Sequence, residues 1–214
     1  YKLKENKLNV LVLDHNRFND DLLALYNTNQ INLLYLDTLT QDRINIISEI
    51  GFFSLLDLNF EFRNLNQTER GRKYLEIFLI KLLEKNKINN VLSCGYYYKR
   101  NINWEKALKN SKIPFFCFHK ESIGVSKSID FLANYPVYKK MRFFYGDCMF
   151  VGNEHVKDLL IKVNDRFSKI IKVTGSPKVD TFIKSYNQLN QKNINGKKTI
   201  TLFSFAVSRE SSCQ

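Results

Sequence analysis

Glu121 stands at the end of an apolar run, next to a histidine and a lysine. The run Pro114-Phe115-Phe116-Cys117-Phe118 leads directly into His119, Lys120 and Glu121. A buried strand that ends this way delivers its polar residues to one rim of a sheet. A carboxylate there can take a proton from a hydroxyl, which is the work of a general base. The plain alternative is a loop in which Glu121, followed by Ser-x-Gly, precedes a helix cap. His119 reads as a hydrogen-bonded structural residue before it reads as a catalyst.

A second polar group follows the apolar run at 8–13. Asp14 and His15 are candidate contacts for a substrate, and Arg17 for a negative group at a helix start. Asn16 reads as a helix cap. The stretch 14–19 holds no glycine, so the G-x-G-x-x-G device of dinucleotide-binding domains is missing. The chain also has no G-x-x-x-x-G-K-[ST] phosphate loop.

Gly95-Tyr96-Tyr97-Tyr98-Lys99-Arg100 interleaves aromatic and basic residues. Such a loop can stack bases and hold phosphates, or line a sugar site through the face and hydroxyl of Tyr96. With no basic stripe beside it, the sugar-site reading ranks first. Lys139, Lys140 and Arg142 with Phe143, Phe144 and Tyr145 form a similar cluster. It fits an anionic membrane surface, at roughly 1 kcal/mol per basic residue. The plain alternative is that its aromatics fill the core and its basic residues are solvated. The three histidines are too scattered for a metal-binding spacing, so no metal is expected.

The 214 residues are 44% hydrophobic and 14% aromatic, enough for a full core and too much for a disordered chain. The net charge of +12 favours an anionic partner, although the basic residues are spread along the chain. None of the four cysteines forms a C-x-x-C pair, which removes zinc-ribbon and thioredoxin-type readings. Cys94, Cys117 and Cys148 sit in apolar runs as small hydrophobes. A reducing cytoplasm is the expected setting. No apolar run reaches the roughly 18–20 residues that span a bilayer.

Strand and helix signals alternate. Strands are expected at 8–14, 31–36, 52–58, 90–94, 114–119, 147–151, 170–174 and 199–205. Helices are expected at 18–26, 43–50, 67–87, 104–108, 123–141 (interrupted at Pro136), 156–161 and 179–189. This order predicts an α/β fold, a Rossmann-like parallel sheet with helices on both faces. Ligands of such sheets bind beyond the carboxyl ends of the strands, where the groups at 14–17, 95–98 and 119–121 fall.

Two segments carry a resemblance. They are Phe150-Val151-Gly152-Asn153-Glu154 and Val173-Thr174-Gly175-Ser176-Pro177-Lys178-Val179-Asp180. Gly175 permits a tight exit from a strand, and Pro177 fits the first turn of a helix. The chain resembles the N-terminal domain of GT-B-type bacterial surface-carbohydrate glycosyltransferases, which make capsule and lipopolysaccharide. It is similar also to CDP-glycerol glycerophosphotransferases and to UDP-N-acetylglucosamine 2-epimerases.

The resemblance implies an acceptor-side domain at 1–176, an interdomain helix and linker at 177–197, and the first strand of a truncated donor-binding domain at 198–214. It implies inverting, metal-independent transfer of a sugar from a nucleotide-sugar donor to a glycan or lipid-linked acceptor. The donor is a substrate, and no cofactor is expected. By the resemblance Glu121 is the base. Asp14, His15, Arg17, Tyr96, His119 and Lys120 are acceptor-side residues, and Gly175, Ser176, Ser208 and Arg209 are donor-side or hinge residues. The expected location is the cytoplasm, peripheral on the inner face of the membrane. The chain opens at Tyr1 and stops just after an apparent strand, so a fragment inactive by itself is expected. The alternatives are a non-hydrolysing sugar-nucleotide 2-epimerase and a non-catalytic Rossmann-like module that binds nucleic acid.

Overall fold

A computed structural model describes residues 7–13, 18–47, 65–95, 99–119, 129–134 and 144–191. The elements, in order, are β1 (Leu8–Leu13), α1 (Asn19–Asn27), β2 (Ile31–Leu36), α2 (Thr38–Ile47), α3 (Leu65–Lys85), β3 (Asn90–Ser93), α4 (Lys99–Asn110), β4 (Phe115–Phe118), α5 (Ile129–Asn134), β5 (Cys148–Val151), α6 (Glu154–Val163), a 3₁₀ turn (Asp165–Lys169), β6 (Ile171–Val173) and α7 (Pro177–Gln191). The expected strands at 52–58 and 199–205, and most of the expected helix at 123–141, lie outside the described residues.

The six strands form one sheet in the order β2-β1-β3-β4-β5-β6. Every pair is parallel. This is the expected Rossmann-like α/β fold. The order reverses at β1, whose neighbours are β2 on one side and β3 on the other.

Side-chain alternation along the strands separates two cores. Leu11, Leu13, Val91, Phe115, Cys117, Met149 and Val151 join one cluster with Leu75, Leu79 and Leu83 of α3, Trp104 and Leu108 of α4, and Leu159 and Leu160 of α6. Val12, Leu92, Cys94 and Phe118 belong to the other, with Phe18 and Leu22 at the start of α1. Tyr26, near the end of α1, is exposed.

Two helices begin more than a turn earlier than their hydrophobic spacing indicates. α2 starts at Thr38 because the Asp37 carboxylate accepts hydrogen bonds from Thr40 N at 2.9 Å and Thr40 Oγ1 at 2.6 Å. Those bonds hold the Asp37 carboxyl below its ordinary pKa, the Thr40 hydroxyl contributing most. α4 starts at Lys99, and its buried positions include Asn101, Asn103 and Glu105, residue types that do not announce a core.

Helix ends are equally inconspicuous in sequence. Lys87 and Lys112 both take left-handed conformations, with φ of 51° and 57°. Each is followed by the reaching-back bond of a Schellman turn, Ile88 N to Leu83 O at 2.8 Å and Ile113 N to Leu108 O at 3.0 Å. Lysine does the work that glycine usually does.

The chain separates into two units, Tyr1–Thr181 and Phe182–Gln214. The first holds the whole sheet. In the second, Phe182 and Tyr186 stack on one another at 6.4 Å, and both are exposed.

Candidate functional site

The carboxyl edge of the sheet is built around the reversal at β1 and β3. The ladder between them continues past the strand end, with Cys94 N donating to Leu13 O at 3.3 Å. The chain then turns at buried Gly95. Ser93 Oγ donates to Gly95 O at 2.5 Å and accepts from Gly95 N at 3.2 Å. Asn101, in the first turn of α4, donates through Nδ2 to the same carbonyl at 2.9 Å. Gln41 of α2 donates through Nε2 to Asn101 Oδ1 at 3.3 Å. Ser93, Gln41 and Asn101 are all buried. A polar relay therefore ties α2, β3 and α4 together at the carboxyl edge of the sheet, and buried polar groups linked this way give a fixed geometry.

The far side of the edge is held by a different device. Asp21, 4% exposed on α1, accepts from Ser176 Oγ at 2.5 Å and from Lys178 N at 3.1 Å. Gly175 just before takes φ of +73°, the left-handed conformation that lets the chain leave β6 sharply. The first turn of α7 is thus capped by a carboxylate from another helix. Likewise Asn153 caps α6, its Oδ1 accepting from Val156 N at 2.9 Å. Between these devices lie the rings of Phe18, Phe118 and Phe150. Phe18 and Phe118 stack at 6.0 Å, and Phe118 meets Phe150 at 5.5 Å.

His119 directly follows β4. It is 7% exposed, and its backbone N–H continues the sheet to Phe150 O at 2.8 Å. Gly175 and Ser176 form the turn just described. Glu121, Asp14, His15, Arg17, Tyr96, Lys120, Ser208 and Arg209 lie outside the described residues. Asp21, Gln41, Ser93 and Asn101 were not singled out in the sequence. Asp21 carried a faint signal, as an acid in a helix first turn, while the other three are ordinary polar residues until their partners are known.

Below the edge, Glu105 of α4 is 0% exposed. Its Oε2 accepts from Tyr145 N at 3.1 Å, and its Oε1 has no hydrogen-bond partner. Burial pushes its carboxyl pKa well above the ordinary value, against the smaller opposing effects of the Tyr145 N–H and the Lys106 charge. Lys106 and Lys109 lie over the Tyr145 ring at 5.0 and 5.8 Å. Phe144, grouped in the sequence with a basic-aromatic surface, is instead 2% exposed and packs on Phe115 at 5.8 Å. Its aromatic area is worth more against the sheet than in water, so it is unavailable to a membrane.

Among the described residues, no three His, Cys, Asp or Glu side chains gather as a metal site. No described helix is long and apolar enough to cross a membrane.

This chain has a Rossmann-like α/β fold. No family model matches it, and no curated protein does. Among solved structures it is similar to UDP-N-acetylglucosamine 2-epimerase from Rickettsia bellii, at 14% identity and a TM-score of 0.44, over 87% of this chain and 49% of that one. It is similar also to the UDP-GlcNAc 2-epimerase from Neisseria meningitidis bound to UDP-GlcNAc, at 18% identity and a TM-score of 0.42, over 87% of this chain and 50% of that one. The chain spans about half the length of the solved structures it matches.

Proposed function

We propose that this chain is the acceptor-side half of a GT-B-type enzyme that transfers a sugar from a nucleotide-sugar donor to a glycan or lipid-linked acceptor. The observation that supports this most is the reversal of strand order at β1, with β2 on one side and β3 on the other. Open parallel sheets bind ligands at such a reversal, beyond the carboxyl ends of the strands. Here the end of β3 is tied to α2 and α4 by the Gln41–Asn101–Gly95–Ser93 relay. A fixed strand end suits a site whose ligand must be held in one orientation.

In this reading Glu121 removes the proton from the acceptor hydroxyl as the oxygen attacks the anomeric carbon. The bond from that carbon to the donor phosphate breaks, and the nucleotide diphosphate departs with the electron pair. Asp14, His15, Arg17, Tyr96, His119 and Lys120 contact the acceptor. Gly175 and Ser176 serve as hinge residues that precede, in sequence, the donor-binding half to which Ser208 and Arg209 belong. The basic residues at 139–142 draw the enzyme to an anionic inner-membrane surface.

Product analysis on the complete protein tests the reading. Given a nucleotide sugar, a transferase releases nucleotide diphosphate only when an acceptor is present, and a glycosylated acceptor appears. Release of free sugar or an epimer without any acceptor would identify an epimerase instead. Nucleic-acid affinity that falls steeply with salt, in the absence of turnover, would identify a binding module. Within the transferase reading, Glu121→Gln should abolish turnover and leave folding intact. Near-normal turnover in that variant removes Glu121 from the role.

A further inference from the structure

We propose that the protein pairs with a second copy of itself, each copy laying α7 into an apolar groove on the other's sheet. This stands apart from the reading above, and its test does not depend on turnover. Two uncovered surfaces carry it, one concave and one convex.

The concave surface lies on the sheet face that packs against α1. Val10, Leu92, Phe116, Phe118, Phe150 and Pro177 line a groove of about 360 Å³ there, and no charged residue borders it. A cleft of that size is large enough to take a partner group. Parallel sheets are ordinarily covered on both faces. Here α3, α4 and α6 add their side chains to the core on the opposite face. Among the described helices, α1 alone adds side chains to the core on this one.

The convex surface is on α7, which is 15 residues long. Val179, Phe182, Ile183 and Tyr186 recur at i, i+3, i+4 and i+7, the spacing of one helix face. All four are exposed, Phe182 most, at 69%. At 3.6 residues per turn, Asp180 and Lys184 fall on the other side of the helix. A helix with such a stripe binds by laying it in an apolar groove.

A second copy is the partner that satisfies both surfaces. A lipid chain would fill the groove and leave the α7 stripe in water. An anionic partner, which the net charge of +12 favours, finds no basic residue in the groove. Pro177 is at once the first residue of α7 and part of the groove wall. The two surfaces are therefore contiguous, so a twofold axis can exchange them reciprocally and close the pair. Two such contacts, each bringing four large apolar side chains to a groove, bury on the order of 1,200–1,600 Å² in all, the size of a stable interface.

Sedimentation equilibrium of the complete protein at micromolar concentration should give twice the mass of one chain. Phe182→Ser changes an exposed position and should leave the fold intact by circular dichroism. It should weaken pairing roughly a hundredfold or more, because a twofold contact loses the ring twice. Ile77→Ser, at an exposed apolar position of α3 outside both surfaces, should leave pairing unchanged. A benzophenone side chain placed at position 182, in a mixture of light and heavy-isotope chains, should cross-link to groove residues of the other copy. A monomer, pairing indifferent to Phe182→Ser, pairing lost in Ile77→Ser, or cross-links confined to one chain or lying outside the groove each overturns the proposal.

Discussion

Asp21 and Ser176 are 155 positions apart in sequence, and their side chains meet at 2.5 Å. The same Asp21 oxygen accepts from Lys178 N, so one carboxylate from α1 closes the first turn of α7. A capping residue normally comes from the chain just before its helix. Here it comes from the other end of the sheet's sequence.

Asp21→Ala should therefore destabilise the protein by about 1–2 kcal/mol, the range for losing a helix cap. Asp21→Asn keeps an acceptor and should cost less. Thermal or urea unfolding checks the order. Hydrogen exchange at Lys178 should rise in the alanine variant, and an unchanged rate there would remove the capping role.

Glu105 makes stability depend on pH. Its folded pKa is raised, chiefly by burial. The folded state thus holds its proton at pH values where the unfolded chain has lost it. Its contribution is fully present below the ordinary carboxylate pKa and declines as pH rises toward the folded value. The decline is roughly 1.4 kcal/mol per pH unit across that window. Glu105→Gln cannot ionise and keeps an acceptor for Tyr145 N. It should flatten the decline and be the more stable protein at pH 8. Parallel stability curves for the two proteins between pH 5 and 8 would contradict this.

The left-handed lysines offer two stabilising substitutions. A non-glycine residue at positive φ is strained, and glycine relieves the strain at some cost in unfolded-state entropy. Lys87→Gly and Lys112→Gly should each raise stability by up to about 1 kcal/mol. Their melting temperatures should rise, singly and together, since the two sites lie at the ends of different helices.

Gly146 and Gly152 should respond differently to the same change. A Cβ at Gly146 would run into the Phe144 and Phe115 rings and stand 2.8 Å from Phe115 O. At Gly152 nothing lies within 4 Å. Gly146→Ala should cost about 1–3 kcal/mol by overpacking, and Gly152→Ala should stay within about 0.5 kcal/mol of the parent. Urea unfolding of the pair reads this directly.

The alternation of strands and helices was legible because burial leaves a local periodic trace. Val10–Leu13 and Phe115–Phe118 are continuous apolar runs because parallel strands are covered on both faces. The exit at Gly175 was legible because its backbone conformation favours one residue type. The extent of α4 was not, because Asn101, Asn103 and Glu105 are buried there and polar residues leave no hydrophobic period. Nor was Phe144 assigned to the core, since an aromatic beside basic residues reads the same on a surface.

The amino-acid sequence by itself determined the fold class and the parallel order of strand and helix. Those follow from dihedral preference and side-chain period, which act over a few neighbouring residues. Only the tertiary structure decided that Asp21 caps α7, that Gln41 reaches Asn101, and that Glu105 is sealed beneath Tyr145. A hydrogen bond depends on which two groups come within about 3 Å, and a linear order does not state which elements will lie side by side.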